Sequence, residues 1–196
     1  MREKQRMKSQ QTRRELKSAA LELFRQRGYE GTTVSDIVGA SGYSVGAFYG
    51  HFKSKQEVAA ELWGDYIGEE IRMSTEHGRQ IQNLEDLFDY LISRSEELAA
   101  DPLFSELQKT YIRTQENKEI MHTAALDYNS MLREALLRRW PKTDELTAAE
   151  SATAAHCLLN AYAEQGTREP AFALNRVSVK RTLLYIAQMC APKTAL

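Results

Sequence analysis

Hydrogen-bond donors and small side chains crowd the stretch from Thr33 to Lys55, TVSDIVGASGYSVGAFYGHFKSK. Thr33 and Ser44 carry hydroxyls at positions that can head a helix, where free backbone amides attract an anion. Tyr43, Tyr49 and His51 can donate to phosphate oxygens, and Lys55 adds a positive charge. Between them, Val45 and Ala47 are small enough to touch a thymine methyl, and Gly46 allows close backbone approach. This is the chemistry of holding a polyanion and reading its groove. Structural duties compete at each position, and Phe48 and Phe52 read as core. Covalent or metal chemistry finds no comparable cluster. His77, His122 and His156 are scattered, without Cys or carboxylate at ligand spacing, and there is no Gly-rich phosphate loop. The chain therefore reads as a non-enzyme requiring neither cofactor nor metal.

The elements that must position these groups are short helices. Thr33 with Asp36 three residues on has the spacing of a helix start, and Ile37 and Val38 give an apolar side. Ser41-Gly42 ends that helix, because glycine can take the left-handed conformation. Ser44 caps a second helix, expected from Val45 to about Phe52. Ser54 and Glu57 form a capping box for a third. Two short helices around a Gly-containing turn are the helix-turn-helix signature, in which the second helix enters the major groove.

Upstream, residues 1–10 lack an apolar face and are expected to be flexible. A first helix is expected from Thr12, with Glu15 as its capping-box partner. Leu16, Ala19, Ala20, Leu23 and Phe24 form its buried stripe, and Gly28 stops it. Tyr29 is expected to fold into the small core. Residues 1–55 hold 11 Lys and Arg against 5 Asp and Glu, a net of +6, and the remainder carries −7. A basic first quarter suits a chain presenting one end to a polyanion.

The remaining sequence reads as helices throughout. They are expected from Ser54 to His77-Gly78, from Asn83 to Asp101-Pro102, over Leu103 to Tyr111, from Asn117 to Trp140-Pro141, from a Thr147–Glu150 capping box to about residue 165, and from Arg176 to Cys190. A loop is expected over Gly166 to Pro170. Polar-tipped aromatics and methionines within a bundle, namely Trp63, Tyr66, Phe88, Phe104, Tyr111, Met121, Tyr128 and Met131, are candidates for lining a small-molecule pocket. They suit ordinary core packing equally. Glu61, Asp65, Glu70 and Glu106 lie near them in sequence and would favour a cationic lipophile, or form a solvated acidic face. The Ala-rich stretch near 147–165 and the helix near 176–190 are candidate dimer elements, with intrachain packing as the alternative. No apolar run reaches the ~18–20 residues of a membrane span. With no export signal, Cys157 and Cys190 are expected reduced and the chain cytoplasmic.

Residues Gly28-Tyr29, Thr32-Thr33-Val34, Asp36-Ile37, Ser41-Gly42, Ser44, Gly46, Tyr49, His51-Phe52, Ser54 and Lys55 resemble the N-terminal domain of the tetracycline repressor (TetR) family. Val45 stands where that pattern often has Lys or Pro, Phe48 where it has Leu or Ile, and Gly50 lies within the recognition helix. The resemblance covers roughly residues 10–60. It implies an all-α chain: a three-helix DNA-binding domain over 1–53 and a larger helical-bundle domain over 54–196 that binds a ligand and dimerises through its last two long helices. Its partners would be a palindromic double-stranded DNA operator, a lipophilic small-molecule effector and a second copy of the chain, with no membrane. The alternative is a helical small-molecule-binding or adaptor protein that no longer reads DNA.

Overall fold

The computed structural model of the chain describes residues 2–111, 115–164 and 174–192. Nine α-helices and no strand occur among them: α1 Arg2–Arg27, α2 Val34–Ser41, α3 Val45–Tyr49, α4 Lys55–Gln80, α5 Leu84–Ala100, α6 Pro102–Tyr111, α7 Gln115–Arg139, α8 Glu145–Ala163 and α9 Arg176–Gln188. The loop expected over Gly166 to Pro170 lies outside the described residues. The chain divides into two compact units, one of residues 1–66 and 106–117 and one of residues 67–105 and 118–196. Helices α4, α6 and α7 contribute residues to both.

In the first unit the expected stripe of α1 is buried at Leu16, Ala20, Leu23 and Phe24, together with Ile37, Phe48, Phe52, Val58 and Trp63. Tyr29 returns into this core, its ring edge-on to Phe24 at 5.3 Å. Gly28 closes α1 with φ of +76°, the left-handed conformation in which a side chain is strained.

Several expected boundaries move, each for a local reason. Helix α1 begins at Arg2 rather than at Thr12, since residues 2–11 are nearly all good helix formers. Thr12 is therefore no cap. Its hydroxyl donates back to the Lys8 carbonyl at 3.1 Å, and Glu15 accepts from Gln11 and Tyr43. Helix α3 ends at Tyr49, not Phe52. Gly50 weakens its end, and the His51 carbonyl accepts from the Arg13 guanidinium. Helix α4 runs through Gly78 to Gln80. The glycine is there for packing: a Cβ at that position would lie 2.9 Å from Met131 Sδ and 3.2 Å from Leu87 Cδ1. Asp144, not Thr147, caps α8 by accepting the Thr147 N–H at 2.9 Å. Glu57 reaches one residue further back than a capping box requires, to the Lys53 N–H, while Ser54 Oγ accepts the Glu57 N–H at 3.2 Å.

In the second unit, α5, α7, α8 and α9 close around a core that includes Phe88, Leu91, Ile92, Met131, Leu132, Leu159 and Leu183. On α8, Ala148, Ser151, Ala152 and Ala155 are buried within this chain, whereas Ala149, Ala161 and Ala163 are half-buried and Ala154 is exposed. Ion pairs tie α9 to α5, with Arg176 on Glu96 at 2.6 Å and Lys180 on Asp89 at 2.6 Å. Cys157 is exposed, Cys190 is buried, and both are free thiols. No described helix is long and apolar enough to cross a membrane.

His156 on α8 lies with its ring 4.6 Å from that of Tyr128 and its Nδ1 2.9 Å from Asn129 Oδ1. Burial holds its pKa below the ordinary value. As pH falls below about 6.5 the unfolded chain takes up this proton before the folded one does. The stability is intact above that pH and drains away toward the lower folded value. Urea unfolding of His156→Gln should accordingly lose less stability between pH 7.5 and 5.5 than the parent; equal losses would show that His156 is not the group responsible.

Candidate nucleic-acid interface

Helix α2 is started by the reciprocal cap its sequence proposes. Thr33 Oγ1 accepts the Asp36 N–H at 3.2 Å, and Asp36 Oδ2 accepts the Thr33 N–H at 2.8 Å. These bonds to Thr33, helped by Arg27 at 3.6 Å, hold the Asp36 carboxyl below its usual range. Gly42 ends α2 with φ of +72°, its N–H returning to the Val38 carbonyl. Ser44 then caps α3, its Oγ accepting the Ala47 N–H at 3.1 Å.

Phe48, fully buried, anchors α3 and stacks near Phe52 at 5.6 Å. With that side turned inward, the outer surface consists of Val45, 46% exposed, Tyr49, 57% exposed, and Gly46, with Ala47 half-buried. Thr33 and Ser44 are exposed at the two helix starts, and His51 is half-buried just past the end of α3. The structure therefore gathers Thr33, Ser44, Val45, Gly46, Ala47, Tyr49 and His51 on the helix-turn-helix without committing most of their side chains elsewhere. Phosphate donors, a thin helix and small groove-facing groups are what major-groove docking requires.

Two of the expected contacts are occupied differently. The Tyr43 hydroxyl bonds to Glu15 and lies 3.4 Å from Thr12 Oγ1, so it joins α1 to the start of α3. The Lys55 ammonium donates to the carbonyls of Tyr29 at 2.7 Å and Thr32 at 2.8 Å, and sits 3.9 Å over the Tyr29 ring. The neighbouring Tyr29 N–H is accepted by Glu106 at 3.2 Å. Arg13 bonds Glu61 and the His51 carbonyl and lies 4.1 Å over the Phe52 ring. Sequence spacing carried no signal for these long-range roles.

The eight pocket candidates do not converge on one described cavity. Phe88 and Met131 belong to the hydrophobic core of the second unit, with Tyr128 packed against it. Phe104 is buried and Met121 half-buried. Trp63 and Tyr66 belong to the first unit, and the Tyr111 side chain lies outside the described residues. Burial pushes the Tyr128 hydroxyl well above its usual range, reinforced by Tyr90 and Glu70. The Trp63 indole N–H is buried with no hydrogen-bond partner among the described residues. Three open concavities, of about 410, 600 and 690 Å³, are lined by other residues, such as Trp140 and Leu184, Met189 and Pro192, or Ile71 and Ala124.

The acidic residues expected to favour a cationic ligand are tied within the protein. Glu61 and Asp65 pair with Arg13 and Lys17. Glu70 is buried under a two-pronged bond from Arg94, with Nε to Oε1 at 2.8 Å. Glu106 holds the Tyr29 amide.

Residues 16–62 match the profile of the bacterial regulatory proteins of the tetR family. That match, about a quarter of the chain, takes in α2 and α3 and is a similarity of this segment to the DNA-binding domain of that family. Over 63 residues it is 38% identical to the HTH-type transcriptional regulator AcrR of Shigella flexneri, a match covering 32% of this chain and 29% of AcrR. Over 55 residues it is 40% identical to the HTH-type transcriptional repressor KstR2 of Mycolicibacterium smegmatis, covering 28% of this chain and 27% of KstR2. The chain thus spans less than a third of the length of either relative. In fold it is similar to SmeT, the repressor of the Stenotrophomonas maltophilia multidrug efflux pump SmeDEF, with a TM-score of 0.57, 23% identity and coverage of 91% and 87% of the two chains. The fold is all-α throughout the described residues.

Lys55 makes a falsifiable structural case. Hydrogen bonds to a charged group contribute about 1.5–3 kcal/mol each when made. Lys55→Met removes both bonds and should therefore lower unfolding free energy by about 3 kcal/mol or more, read from urea titration. A variant as stable as the parent would return Lys55 to the role of a free phosphate contact.

Proposed function

We infer that the chain is a dimeric repressor that binds a palindromic operator through α2 and α3 and is released by a small lipophilic effector. The observation that carries this reading is the exposed face of α3, in which Val45, Gly46 and Tyr49 stand over a buried Phe48. The Tyr49 ring meets Phe48 edge-on at 5.4 Å, and an aromatic held in this way yet more than half exposed beside two small residues suits a groove. The sign of regulation follows relatives such as KstR2, which is a repressor.

Dimerisation is assigned to α8 and α9. Val177 and Tyr185 on α9 and Met189 at its C-cap are 75%, 66% and 63% exposed. They lie eight and four residues apart on one side of the helix, with exposed Arg181 standing between the first two. A second copy of the same pair of helices would complete a four-helix bundle. Two recognition helices then need a separation of about 34–36 Å to meet successive major grooves. An effector that favours another spacing weakens DNA binding by population shift. Helix α4, which has residues in both units, is the element suited to carry that change. The unpartnered Trp63 N–H suits an effector with a hydrogen-bond acceptor, because a buried donor left unmet costs about 1–3 kcal/mol.

Selection of bound fragments from random duplex DNA tests the reading. An enriched palindrome is expected, and Tyr49→Ala should weaken binding to it by about 1–3 kcal/mol. Affinity that does not change with salt would sink the DNA reading, because phosphate neutralisation must release counterions. Val177→Glu combined with Tyr185→Glu should give a monomer in sedimentation with unchanged helical signal. A variant that remains dimeric would move the interface away from α9.

A further inference from the structure

From Thr33 to Phe52 the chain has no Arg, Lys, Asn or Gln. Those are the four side chains that can bond two atoms of a guanine or an adenine from the major groove. Asp36, the sole carboxylate in that stretch and the type that accepts from cytosine, is held by Thr33 and Arg27. The Tyr43 hydroxyl is taken by Glu15, and Ser44 Oγ accepts the Ala47 N–H at 3.1 Å. The usual means of reading a base by hydrogen bonds are therefore missing from the sequence or engaged within the fold.

What α3 turns outward instead is apolar or bare. Val45 is 46% exposed. Beside it, exposed Gly46 has room for a side chain: a Cβ built there would meet only Ser44 Oγ, at 3.8 Å. Its φ is not positive, and glycine weakens a helix relative to alanine. Neither packing nor backbone angle within the chain calls for glycine at this position. A bare backbone there lets α3 lie close to base edges and carries the Val45 isopropyl group down with it.

We propose that Val45 is the specificity-determining residue of α3 and that it selects thymine through apolar contact with the C5-methyl group. The inference rests on the reading of α2 and α3 as a DNA-binding unit and names what that unit prefers. The thymine methyl is the one alkyl group on the major-groove edges, so an isopropyl group packs on it and sheds water. Cytosine in the same place lacks the methyl and offers an amino group, which would lose water without gaining an acceptor. Half-sites with thymine under Val45 therefore replace the guanine that an arginine or lysine would select.

The test uses the duplex that the parent chain selects from a random pool. Each thymine of one half-site is replaced in turn by uracil, which lacks only the methyl and pairs in the same way. At one position uracil should weaken binding about 4-fold, the worth of one buried methyl. Val45→Ala keeps helix propensity and removes an exposed side chain, so the fold stays intact. It should bind the unaltered duplex more weakly, lose the uracil effect at that position and keep the salt slope of the parent. Uracil tolerated at every position, or a selected half-site without thymine, overturns the methyl contact and leaves the DNA-binding reading intact. A uracil effect that persists at full size in Val45→Ala overturns the assignment to Val45. A parent that selects no duplex overturns both readings.

Discussion

The ammonium of Lys55 is the tie on which the geometry of the first unit depends. A cation at the first residue of a helix opposes the helix dipole, which favours negative charge there. Here the cation turns away from the helix and takes two carbonyls of the Gly28–Thr32 turn, with the Tyr29 ring beneath it. Those carbonyls lie in a segment that belongs to no helix, so nothing within α1 or α2 would satisfy them. The same turn offers the Tyr29 N–H to Glu106. A five-residue connection is thus fixed on both its donor and acceptor sides by residues that lie 26 and 77 positions away. Helix α2 starts directly from this turn, and the angle at which α2 and α3 present themselves follows from it.

What the sequence makes legible is the set of interactions confined to a few residues. The Thr33–Asp36 reciprocal cap, the Gly42 stop, the Ser44 and Asn83 caps and the inward Phe48 and Phe52 all follow from local spacing and stand as expected. Errors arise where a local pattern has a competing partner further away. Thr12 and Glu15 have the spacing of a cap, yet Tyr43 takes Glu15, and the good helix formers before Thr12 continue the helix through it. Gly78 has the composition of a stop, yet the close crossing near Met131 and Leu87 needs its missing side chain. The order of Thr147 and Glu150 resembles a capping box, but Asp144, three residues earlier, reaches the same amide. A pairing across tens of residues leaves no trace in spacing, so the roles of Lys55 and Arg13 are invisible until the helices are packed.

Charge illustrates the same limit quantitatively. The first 55 residues carry a net of +6, but their cations are of two kinds. Arg13, Lys17, Arg27 and Lys55 have their charge engaged by Glu61, Asp65, Asp36 or backbone carbonyls. Lys4, Arg6, Lys8, Arg25 and Lys53 form no ion pair among the described residues. Only the second kind can release counterions from a polyanion without first breaking an internal bond, and exposed charges of that kind act over about a Debye length, ~8–10 Å. A count over the sequence treats both kinds alike. The engaged cations set where the helices sit, and the free ones determine what the surface attracts. The acidic residues divide in the same way. Glu61, Asp65, Glu70 and Glu106 are all engaged within the protein, so a count of carboxylates overstates the negative charge they offer to an outside partner.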